Sequence, residues 1–74
     1  MTNAKQAVAT AEARQRIVLD YLYFARRPVF SAQIARETGL TQQQVAGAVR
    51  FLHRKGLIEP EFRDRGSACK WRAV

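Results

Sequence analysis

Ser31-Ala-Gln-Ile-Ala-Arg-Glu-Thr-Gly-Leu-Thr-Gln-Gln-Gln-Val-Ala-Gly-Ala-Val-Arg-Phe-Leu-His-Arg-Lys-Gly56 reads as two short helices joined by a tight turn. Ser31 is expected to cap the first, because its hydroxyl can accept from an otherwise unpaired backbone N–H. Ile34, Ala35 and Thr38 then line an inner face, and Leu40 closes the turn behind it. Gly39 stands where a helix favours a left-handed residue after its last turn. Thr41 opens the second helix, and Gln44 three residues on completes a capping box. That helix is expected to end at about Lys55, before Gly56.

At 100° per residue, Val45, Ala48, Val49 and Leu52 fall on one side of the second helix and form its expected core face. Gln43, Gly47, Arg50 and Arg54 fall opposite, with Gln42 and Ala46 beside them. Polar helix faces are commonly no more than solvated. The residue types here also suit base reading: arginine can grip guanine bidentately and glutamine can grip adenine. Gly47 would let the helix lie close to a groove. Its cost of about 1 kcal/mol relative to alanine calls for a reason of that sort. The expected recognition set is Thr41, Gln42, Gln43, Gln44, Ala46, Gly47, Arg50 and Arg54.

Before this run, Ala4, Ala7, Val8 and Ala11 recur at helical spacing in an alanine-rich stretch. Residues 1–11 read as an N-terminal extension, either frayed or packed on a second subunit. The domain proper is expected over 12–74. Its first helix runs from about Glu12 to Arg26, with Ile17, Val18, Tyr21, Leu22 and Ala25 as a broad apolar face. Pro28 stops it, since a residue before proline resists helical geometry. Arg26 and Arg27 are expected in the last turn, where cations suit the helix dipole. Val29 and Phe30 form a short extended piece.

After the run, Leu57 to Phe62 is extended, with Pro60 marking an edge position. Arg63-Asp64-Arg65-Gly66-Ser67 is a turn, and Ala68 to Val74 resumes as a strand. Cys69, Trp71 and Ala73 alternate there with Lys70 and Arg72, giving one apolar and one basic face. Arg63, Arg65, Lys70 and Arg72 form a second candidate contact set for phosphates or a minor groove. Asp64, Glu59 and Glu61 dilute the positive field at that hairpin. Tyr21 and Trp71 are expected to pack on the core. Tyr23, Phe24 and Phe51 do not all fit inward, which hints at a subunit interface, or for Phe51 at a slot beneath the hairpin.

Composition bounds the chemistry. Seventy-four residues make one small domain with a modest core and little room for an enclosed substrate or effector pocket. The formal net charge is +7, and ten of the thirteen basic residues are arginine. A polyanion is the natural partner, because such side chains displace counterions condensed on phosphates. The single Cys69 excludes an intramolecular disulfide and a cysteine-built zinc cage. His53 is the lone histidine and reads as structural or solvent-facing. No catalytic residue, metal ligand or cofactor is expected, and the chain does not read as an enzyme. No stretch has the pattern of a signal peptide or the length of a membrane span, so a cytoplasmic protein is expected.

The chain resembles the winged helix-turn-helix superfamily over about residues 14–74. The resemblance is carried by Val18-Leu-Asp-Tyr-Leu22, Ile34-Ala-Arg-Glu-Thr-Gly-Leu-Thr41, Val49-Arg-Phe-Leu-His-Arg-Lys-Gly-Leu-Ile58 and the strand with Trp71. It is similar to small bacterial and phage regulators of the multiple-antibiotic-resistance and arsenic-repressor types, which are usually dimers. What this implies is a mainly α, α+β fold of three helices with a small β-hairpin. It also implies recognition by the third helix in the major groove and wing contact through Arg63–Lys70. The Z-alpha domain looks similar too, but its signature positions are Ala46, Arg50, Ala68 and Cys69 here. Only Trp71 is kept, so the reading of left-handed nucleic acid is set aside.

The expected function is sequence-specific binding of double-stranded DNA by a small transcriptional regulator, a homodimer through the N-terminal helix region that represses by occlusion. The alternatives are a winged-helix protein-interaction adaptor, or a DNA-binding component of replication, partition or recombination machinery. Membrane and small-molecule effector partners are not expected.

Overall fold

The computed structural model of the chain describes residues 10–61 and 70–74. The expectations for the extension at residues 1–9, and for Arg63 and Arg65 in the hairpin turn, lie outside the described residues. Three helices and a small antiparallel sheet follow in the order α1 (Ala11–Ala25), β1 (Val29–Phe30), α2 (Ser31–Thr38), α3 (Gln42–Arg54), β2 (Ile58–Glu61) and β3 (Lys70–Ala73). This is the α+β arrangement expected from the sequence.

Local chemistry sets the helix ends. Thr10 caps α1, its hydroxyl accepting from the Ala13 N–H at 3.1 Å. The far end differs from the sequence reading. The helix stops at Ala25, and Arg26 takes a left-handed conformation at φ 56°, its N–H bonded to the Leu22 carbonyl. Arg26 and Arg27 therefore lie beyond the helix and not in its last turn. Ser31 is also not a cap: Phe30 occupies that position without a side-chain cap bond, and Ser31 is the first helical residue. The chain enters α2 directly from β1, so no separate capping residue intervenes.

The turn between α2 and α3 follows its sequence. Gly39 is left-handed at φ 82°, and its N–H closes on the Ala35 carbonyl at 3.0 Å. Thr41 and Gln44 form the expected capping box, each backbone N–H held by the other's side chain at 3.0 Å. At the end of α3, Gly56 bonds to the His53 carbonyl and Leu57 to that of Leu52, both at 3.0 Å. This pair is a Schellman closure, with Gly56 at φ 79°.

The strand order is β1-β3-β2, so β3 is central. Val29 pairs with Trp71 and Phe30 with Lys70 on one side. Ile58, Glu59, Pro60 and Glu61 pair with Ala73, Arg72, Trp71 and Lys70 on the other. Pro60 thus sits on an edge strand, where a missing N–H costs no ladder bond. Val18 and Leu22 of α1, Val29 of β1, Ile34 and Ala35 of α2, Leu40 of the turn, Val45, Ala48, Val49 and Leu52 of α3, and Ile58 of β2 form one core. Tyr21 and Trp71 pack against its margin as expected, and Phe51 does too. Lys55 Nζ covers the Phe51 ring at 5.6 Å from its centroid.

Tyr21 also ties α1 to α2, its hydroxyl donating to Glu37 Oε1 at 3.0 Å. Partial burial holds the phenol above its ordinary value, and the bond and charge of Glu37 push the same way. Because the folded-state pKa is raised, the stability this group contributes is complete below about pH 10 and is lost as pH rises through the folded value. Tyr21→Phe should cost about 0.5–1 kcal/mol at neutral pH. Its unfolding curve should converge on that of the unchanged protein above about pH 10 in urea titrations.

Candidate nucleic-acid interface

The capping box fixes where α3 begins, and the core face fixes its rotation. Val45, Ala48, Val49 and Leu52 are buried. The arc opposite them is thereby turned to solvent: Gln42, Gln43, Ala46, Gly47, Arg50 and Arg54 are all exposed, and so is the capping Thr41 just before the helix. The structure brings the six helical residues together on one side of a helix that carries no acidic residue. Gln44 is placed differently. It is half-buried, and its side-chain oxygen accepts from the Thr41 N–H. Its amide oxygen is committed to starting the helix.

Gly47 has no internal reason to be glycine. A Cβ built there meets nothing within 4 Å. The helix would gain about 1 kcal/mol from alanine. Gly47→Ala should therefore raise the thermal midpoint by a few degrees. If the arc seats in a groove at that point, the same change should weaken duplex binding, and the opposite signs of the two effects separate fold from contact.

The β3 basic residues are held locally. Arg72 donates through Nε at 2.8 Å and Nη2 at 2.6 Å to Glu59 Oε2, its partner across the β2–β3 ladder. Both side chains are about half exposed, so the pair is worth no more than about 1 kcal/mol. Arg72 also lines a cavity with Tyr23, Arg26 and Arg27 at the end of α1, away from the α3 arc. Lys70 Nζ stands 5.0 Å from the centroid of the Phe30 ring.

Other residues border the arc without a sequence signal. Arg14 and Gln15 of α1 share a groove with Thr41, Gln43 and Gly47. On the opposite flank, His53 is exposed and meets Trp71 edge-to-face at 5.3 Å. Both neighbourhoods come from packing between distant segments, which no local motif records. Among the described residues, no group of three His, Cys, Asp or Glu side chains could hold a metal ion. No described helix is long and apolar enough to cross a membrane.

The aromatic surplus is resolved. Tyr23 and Phe24 remain 59% and 75% exposed at the end of α1, stacked edge-to-face at 5.4 Å, so the core does not use them.

Comparison with known proteins points the same way. The sequence model of the MarR family matches residues 12–67. A solution structure from Mycobacterium bovis superposes with a TM-score of 0.65 at 26% identity. That protein is a homodimeric winged helix-turn-helix DNA-binding domain, described as a possible ArsR-family transcriptional regulator. The match covers 96% of the present chain and 64% of that one, so the present chain spans less than two thirds of its length. No curated protein matches the sequence. The three helices and the β1-β3-β2 sheet are thus those of a winged helix-turn-helix.

Proposed function

The chain belongs to the MarR family, and from that premise we propose that it is a transcriptional regulator that binds double-stranded DNA sequence-specifically. The observation that carries this reading is the exposed, acid-free arc of α3, with Gln43, Gly47, Arg50 and Arg54 at its centre. In the proposed complex α3 lies in the major groove, and the segment carrying Arg63 and Arg65 reaches phosphates of the neighbouring minor groove. The net charge of +7 supplies the sequence-independent attraction.

One such module makes few contacts. Two-fold pairing doubles them and matches a palindromic site. Tyr23 and Phe24 supply an exposed apolar surface on α1 for that pairing. The similarity to a homodimeric domain supports the same arrangement. Repression then follows from occlusion of the bound site in the cytoplasm.

Electrophoretic titration of duplex DNA at several salt concentrations tests the reading. Affinity should fall steeply with salt, by a logarithmic slope of about 0.9 per phosphate neutralised. No complex at low salt would sink it. Light scattering tests the pairing: the protein should be dimeric at binding concentrations and Phe24→Glu monomeric. A strictly monomeric unchanged protein would remove the dimer.

A further inference from the structure

The recognition arc and the central strand leave a gap between them. A cleft of about 240 Å³ opens there, lined by Ser31, Ala46, Val49, Arg50, His53 and Trp71. It is smaller than the ~300 Å³ at the low end of small-molecule pockets. Its walls carry polar donors and one arginine, with no acidic residue. His53 stands three residues after Arg50, hence about 60° around the α3 axis from it, on the side facing β3. Its imidazole meets Trp71 edge-to-face, with centroids 5.3 Å apart and planes at 63°. The ring is therefore oriented by a neighbour while its residue stays exposed. Ser31, placed inside α2 and not at its cap, lines the cleft from the other side.

This position has a consequence for a docked duplex. If α3 occupies the major groove and the hairpin approaches the adjacent minor groove, the strand separating those grooves crosses between α3 and β3. The cleft opens at that crossing. We propose that it is a phosphate clamp, in which His53, oriented against Trp71, donates an imidazole N–H to one backbone phosphate of the crossing strand. The Ser31 hydroxyl donates from the α2 side, and Arg50 adds positive charge at the rim while its guanidinium reaches the base edges. A neutral imidazole already carries one N–H donor, so the contact does not require a protonated ring. A contact of this kind fixes the protein's register on DNA and carries no sequence information itself. The clamp rests on the DNA-binding reading.

The experiment uses a duplex selected from a random pool by the unchanged protein, with single neutral methylphosphonates placed along both strands. His53→Ala and His53→Leu are compared with the unchanged chain; the leucine keeps bulk against Trp71 but has no donor. Both variants should bind about tenfold more weakly, on selected and scrambled duplexes alike. One methylphosphonate per half-site should weaken the unchanged protein about tenfold and either variant less than twofold. Unchanged affinity in both variants would overturn the clamp. A loss confined to the selected sequence, with no coupling to any phosphate, would overturn it too and make His53 a base reader. An unchanged protein that binds no duplex would instead remove the DNA-binding reading.

Discussion

Leu22→Ala is expected to destabilise the fold by about 2–5 kcal/mol. Leu22 is 1% exposed in the last turn of α1, among the core side chains that α1 shares with α3. Removing its branched end leaves a cavity that helices anchored on both sides can only partly collapse. A domain of this size holds only about 4–11 kcal/mol in total, by the usual range per residue. The lost packing is therefore a large share of it. A loss of 3 kcal/mol should lower the thermal midpoint by about 12–24 °C. Circular dichroism melts check this, and Leu22→Met serves as the volume-conserving control at under about 1.5 kcal/mol. A melt of Leu22→Ala within a few degrees of the unchanged protein would mean that α1 does not brace α3.

The same dependence explains which parts of the molecule could be read before the structure. The turn at Gly39, the Thr41–Gln44 capping box and the stop at Gly56 rest on chemistry within five residues, so the sequence contains the whole argument. The α3 arc follows from that start point together with one apolar face. The two helix-end errors have equally local causes. At Arg26 a non-glycine residue accepts the left-handed conformation to close on Leu22, although this costs about 1 kcal/mol. At Ser31 the strand runs into the helix without a gap, which moves the cap position back to Phe30.

What was not legible depends on strand register and on contacts between distant segments. Arg72 reads from the sequence as a wing contact because alternation places it on the basic face with Lys70. Only the β2–β3 register puts Glu59 directly opposite it. His53 reads from the sequence as structural or solvent-facing, and it is exposed. Its pairing with Trp71 spans eighteen positions and requires β3 to lie between β1 and β2. Arg14 beside Gln43 likewise depends on how α1 crosses α3. The α3 arc is thus a local property of the chain, while its two flanks are tertiary.

Arg50→Ala separates the proposed base reader from the rest of the arc. The residue is exposed, so its removal should change folding stability by less than about 0.5 kcal/mol. Binding to a selected duplex should weaken by about 1–3 kcal/mol, with discrimination relaxed at one base pair per half-site. Binding to scrambled DNA should fall much less. Arg54→Ala, one helical turn further on, tests how far the reading face extends. Titrations on paired selected and scrambled duplexes, repeated at several salt concentrations, measure both effects. Equal losses on the two duplexes, with the salt slope reduced by about 0.9, would make Arg50 a phosphate contact. Base reading would then fall to Gln43 and its neighbours at the start of α3. That outcome would also move the centre of recognition from the α3–β3 side toward the groove shared with Arg14 and Gln15.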